Sequence, residues 1–317
     1  MPTSLSMQIS NKMKKYLTKI ALLFVIIILC DYAFGIGMDY VVNHISVGGQ
    51  GRDNHICNES AEDILVFGSS RAIHHYNAKM MEDSLHMTCY NCGNDGSGIV
   101  LSYGRLLMVK ERKTPKIIIQ DVESTFDLLE NDNHQYFDWL KARYDRNGIH
   151  EIFDTIDPTE KYKMMSHIYR YNTKFVQNLF VYLTSISTDA GIKGFRPLEG
   201  ELDTMKINKK KMDDDDNGYQ FDKVKLGFVN QFIEAAGDAQ IYFVVSPIWY
   251  GADTLQYLPI KNICRQRGVP FIDFSNDPKY VHQNKYFKNG THLNSRGADQ
   301  FTHDIIEILR KNGAVQQ

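Results

Sequence analysis

Val66-Phe67-Gly68-Ser69-Ser70-Arg71-Ala72 turns polar directly after the apolar run Ile64 to Phe67. A serine hydroxyl is a weak nucleophile until a base removes its proton, so the pair Ser69-Ser70 calls for a histidine. Of the 11 histidines, His292 has the most suggestive context, FKNGTHLNSRGADQF, between an apolar run and an amphipathic one. A third segment, CYNCGNDGSGI, places Gly93, Gly96 and Gly98 where backbone N–H groups could meet a developing oxyanion or a phosphate. The order GxxGxG is not that of a dinucleotide site, and no Lys-Ser/Thr follows to make a phosphate loop. Arg71 could hold a substrate carboxylate or phosphate, or pair with a local acid. His74 and His75 read as the exposed start of a helix, and Asp95 as the cap of a helix beginning near Ser97.

These residues need a scaffold that brings distant segments together. From Ile64 onward, short unbroken apolar runs alternate with longer amphipathic ones, the pattern of parallel strands joined by crossover helices. Expected strands are 64–67, 87–91, 117–121, 240–245 and 270–274. Expected helices are 77–85, 97–112, 219–236, 254–267 and 295–311, with Asn77 and Ser295 as N-caps. The fold class is therefore α/β, a three-layer sandwich around a parallel sheet of about five strands. In such a sheet ligands sit beyond the carboxyl ends of the strands, where Ser69-Ser70 and His292 both fall. Residues 122 to 239 far exceed a crossover, so a mainly helical insertion is expected at about 126–218. Its charged stretch KINKKKMDDDDNGY reads as a solvated loop, because consecutive aspartates such as Asp213 to Asp216 do not converge on one calcium ion.

The N-terminus differs in kind. Lys12, Lys14, Lys15 and Lys19 precede the apolar run Ile20 to Cys30, which resumes after Asp31. A helix over 17–39 would span roughly 30 Å, enough to cross a bilayer. The basic flank predicts a cytoplasmic N-terminus at 1–16, a single-pass anchor at 17–39, a linker at 40–62 and an exported domain at 63–317. Cleavage at the small-x-small site Ala33-Phe34-Gly35 is the alternative; Leu29 is too bulky for a lipid-modified Cys30. Asp31 would lie near the outer end of the span, reaching water or pairing with another helix.

With 36 basic and 38 acidic residues, no global field gathers nucleic acid. Cys89-Tyr90-Asn91-Cys92 has redox spacing but falls in a strand, so it reads as buried small residues or an incidental disulfide. There is no second CxxC and no HExxH, and neither a metal nor another cofactor is expected.

Taken together, the segments resemble the SGNH (GDSL-type) hydrolases, of the membrane-anchored kind that acts on the bacterial envelope. The resemblance covers roughly 63–124 and 239–308. It implies a flavodoxin-like sheet, with Ser70 of Gly68-Ser69-Ser70 as nucleophile. Gly96 of YNCGNDG would join the Ser70 N–H in the oxyanion hole. Asn289-Gly290-Thr291-His292 matches the family's Asp-x-x-His block, with His292 as base. Two positions depart from the pattern. The asparagine expected after the third strand is replaced by Ser124 and Thr125, and the triad carboxylate by Asn289, leaving Asp273, Asp277 or a bare Ser70–His292 dyad as alternatives. The implied function is an esterase or O-acyltransferase acting on an acylated envelope carbohydrate; a catalytically silent glycan-binding or scaffold module is the alternative.

Overall fold

The computed structural model describes residues 4–187, 191–206 and 218–313. The Asp213 to Asp216 run lies outside the described residues. Helix α1 (Ser4–Asn43) is followed by α2 (Gly48–Asn54) and strand β1 (Ile64–Phe67). Next come α3 (Ser70–His75), α4 (Ala78–Leu85), β2 (Cys89–Asn91), α5 (Ile99–Lys110) and β3 (Ile117–Asp121). A run of short helices follows: α6 (Ser124–Asp127), α7 (Phe137–Leu140), α8 (Ile149–Ile156), α9 (Glu160–Lys163), α10 (His167–Tyr171) and α11 (Phe175–Thr184). The chain closes with α12 (Lys223–Ala236), β4 (Gln240–Val245), α13 (Leu258–Arg267), β5 (Phe271–Asp273) and α14 (Ser295–Lys311).

The five strands form one parallel sheet in the order β2-β1-β3-β4-β5, with Ile64 opposite both Cys89 and Ile117. Alternation along β1 explains why the strand is apolar throughout. Leu65 and Phe67 pack into a core shared with α5 and α12, while Ile64 and Val66 pack into a second core shared with α4 and α14. All strand carboxyl ends open at one edge of the sheet, and the connections there carry Ser70, Gly96, Glu123 and, between β5 and α14, His292.

Several expectations are corrected at element ends. Asn294, not Ser295, caps α14, its Oδ1 accepting the Gly297 N–H at 2.9 Å. Helix α5 starts at Ile99 after Gly98 with no side-chain cap, and Asp95 instead pairs with Arg196. Helix α12 begins at Lys223 because Asp222 caps it through the Val224 and Lys225 N–H groups.

Residues 40–62, expected as a linker, are mostly helical and tied into the core. Asp53 of α2 is buried between Arg105 of α5, at 2.9 Å, and Arg143, at 3.2 Å. A charge can be buried there only because both guanidinium partners come with it. The four cysteines beyond α1 are buried and unbridged. Over Lys12–Asn43, α1 is long and apolar enough to cross a membrane.

Candidate functional site

Leaving β1, the chain must turn sharply into α3. Gly68 takes φ of 140°, and a Cβ there would lie 2.7 Å from the Asp121 carbonyl oxygen, so only glycine lets β1 pass β3 this closely. Ser69 caps α3 by accepting the Arg71 N–H, and its hydroxyl donates to Glu123. Ser69 is therefore spent on structure. Ser70 is the first helical residue, so no carbonyl of α3 can accept its N–H.

The Ser70 hydroxyl lies 2.8 Å from His292 Nε2, across 222 residues of sequence. On the far side of the ring, His292 Nδ1 lies 3.1 Å from Asn289 Oδ1. The orientation of that amide follows from its other partners. The backbone N–H groups of Thr291 and His292 donate to the same atom at 3.0 and 2.9 Å, so an oxygen and not an NH₂ must face them. His292 then carries its proton on Nδ1 and presents the Nε2 lone pair to Ser70. Asn289 thus selects the tautomer a base needs, although as a neutral amide it cannot stabilise the imidazolium by charge. Burial pushes the His292 pKa down to about 4, with a further contribution from His74, so the ring is neutral through the physiological range. Asp273 and Asp277 are occupied elsewhere, accepting from Ser275 and Lys279.

His74 and His75 lie differently from their expected surface placement. His75 is fully buried; its Nε2 accepts the Leu293 N–H at 2.9 Å, which leaves Nδ1–H to donate to Ser246 Oγ at 2.9 Å. It fixes the residue next to His292 to the helix that carries Ser70. Burial drives its pKa well below the usual imidazole value. His74 is half-buried, with ring centroids 5.5 Å from His292 and Nδ1 against the Arg196 carbonyl.

Arg71 takes the local-acid alternative. Its side chain is buried, with Nε 3.5 Å from Asp121 and 3.8 Å from Glu123, and it bonds the Val122 carbonyl, so it ties α3 to the end of β3. The glycine loop is held to the same turn by the Asn94 N–H, which donates to the Gly68 carbonyl at 2.9 Å. Gly96 is exposed at its tip with φ of 64°. Ser124 donates to Gln256, and Thr125 is exposed at the rim of the same cleft.

That cleft, of about 450 Å³, is lined by Arg71 and Thr291, the sequence neighbours of Ser70 and His292, and by Glu123, Tyr250, Gln256 and Tyr257 among others. Glu123 is the contributor that sequence reading missed. It sits in the segment searched for an asparagine, and its partners Ser69 and Arg71 become visible only once β1 and β3 are neighbours. His134, Asp157 and Glu160 also lie close enough to share an ion, but Glu160 is already engaged by Lys163 and Tyr169.

No known family model matches the chain, and no curated protein matches it.

Proposed function

We propose that the chain is a membrane-anchored serine esterase or O-acyltransferase of the SGNH type, working without a cofactor on an ester of an envelope glycan. The observation that carries this reading is the Ser70–His292 contact at 2.8 Å together with a neutral ring held in the productive tautomer. In the first step Ser70 Oγ attacks the ester carbonyl while its proton passes to His292 Nε2. The oxyanion is met by the N–H groups of Ser70 and Gly96. Collapse of the tetrahedral adduct expels the alcohol, which takes the proton from Nε2, and leaves an acyl-Ser70. Water or a sugar hydroxyl, deprotonated by the same nitrogen, then releases the acyl group.

The strand order β2-β1-β3-β4-β5 is that of flavodoxin-like sheets, whose ligands bind where the order reverses between β1 and β3, the position of Ser70. A polar cleft bearing tyrosines suits a sugar better than a long acyl chain. Residues 126–218 are the insertion on this scaffold. The basic flank of α1 supports an orientation with residues 1–16 in the cytoplasm and the catalytic domain on the periplasmic or extracellular side of the inner membrane.

A silent binding module is the competing reading, favoured by the neutral Asn289. Labelling of the full chain in detergent by a fluorophosphonate probe separates the two. The expected outcome is labelling of the native chain that disappears in Ser70→Ala. Labelling that persists in Ser70→Ala, or its absence from folded native protein, overturns the esterase reading.

A further inference from the structure

Asp31 sits in the apolar helix α1, where an unpaired carboxylate would be costly in lipid. It is not unpaired. Its two oxygens accept from Ser166 Oγ at 2.8 Å, the His167 N–H at 2.8 Å, the Ile168 N–H at 2.9 Å and His167 Nδ1 at 3.0 Å. The group that satisfies it is the amino end of α10, carried by the domain that follows α1. Gly35, one turn further along α1, is the notch that admits it, since a Cβ there would collide with the His167 ring.

From this clasp the chain climbs along α1. The Phe175 ring meets Phe34 at 6.1 Å, and the Tyr182 ring meets Tyr40 at 6.2 Å, so α11 runs beside α1 in the same direction. Counted from Leu17 at about 1.5 Å per residue, a hydrocarbon layer of about 30 Å ends near residue 37. Helix α10 and the start of α11 therefore lie at hydrocarbon depth. Their outward faces match that depth: Met165, Ile168 and Val176 are each more than half exposed, 175–187 contains no charged residue, and Arg170 of α10 is paired with Asp145.

We propose that α10 and α11 form a wedge inserted in the outer leaflet of the bilayer, clasped to α1 through Asp31 and Gly35, with lipid covering their apolar face. The domain then rides on the membrane in a set orientation instead of swinging on a stalk. The inference rests on α1 crossing the bilayer and is independent of the chemistry at Ser70.

The test uses the full chain reconstituted in phosphatidylcholine vesicles, with and without acyl-chain bromination, and one added tryptophan at a time. Leu23→Trp in α1 reports whether the span is in lipid. Ile168→Trp and Val176→Trp, level with Asp31 and Phe34, report on the wedge. Leu255→Trp, in the turn that supplies Gln256 and Tyr257 to the cleft, is the water-exposed control. Loss of emission in brominated vesicles at 23, 168 and 176, with none at 255, is the expected result. Quenching at 23 alone, with 168 and 176 as open to aqueous iodide as 255, overturns the wedge and spares the anchor. Protection of 168 and 176 from both quenchers means that a second copy covers the face, and overturns it as well. No quenching at 23 removes the anchor itself and the wedge with it.

Discussion

Asn289→Asp changes one atom of the amide and tests what the amide withholds. Its oxygen already accepts two backbone N–H groups and faces His292 Nδ1 at 3.1 Å, so the new carboxylate needs no rearrangement. Replacing a triad carboxylate by an amide in a serine protease costs about 10⁴ in turnover, largely through the wrong tautomer. Here the tautomer is already right, so the variant recovers only the charge term. Unit charges about 4 Å apart attract by about 4 kcal/mol near a protein surface. Position 289 is exposed and the amide dipole already supplies part of the effect, which leaves roughly 2 kcal/mol, or about thirtyfold in kcat. The same interaction favours protonated His292 in the free protein. Because the base must be neutral, the acid limb of kcat/KM should move up from about 4 to roughly 5.5. Ester turnover of both chains between pH 3.5 and 8 is the assay. An unmoved limb with unchanged or lower kcat, in protein of native stability, would refute the assignment of Asn289 as the group that orients His292.

Two further perturbations probe the supports of the site. His75→Ala orphans the buried Leu293 N–H and should cost about 1–3 kcal/mol by urea titration while slowing ester turnover through a loosened His292. In the native chain His75 is held neutral while the unfolded chain takes up a proton below about 6.5. Its contribution is thus present above that pH and lost as pH falls, and the variant should lose less stability between pH 7 and 5. Asp127 runs the opposite way: burial lifts its pKa to about 8, so folding binds a proton that the unfolded chain has released above about 4. Native stability should decline as pH rises from 4 to 8, and Asp127→Asn, which still accepts the Glu123 N–H, should remove that slope and gain at most ~5 kcal/mol at pH 8.

The sheet was readable because a strand covered on both faces must be apolar throughout, and 64–67, 117–121 and 240–245 coincide with the observed strands. The pairing of Ser70 with His292 was readable for a similar reason: chain direction alone puts both at the carboxyl ends of parallel strands. The apolar N-terminal helix follows from length and composition. Tertiary structure decided the rest. His75 and Asp95 looked like local helix-end residues, yet one is buried by α14 and the other is claimed by Arg196, more than a hundred positions on. Asn289 looked like a defect, and its tautomer-setting role depends on which way the amide faces, which only the two backbone donors settle. Asp31 was expected to reach water or pair with another helix, and only the packing selects α10, 135 residues away, as that helix. Periodicity records which face of an element is covered; it does not record what covers it, because the partner is chosen by packing between elements whose separation in sequence carries no signal.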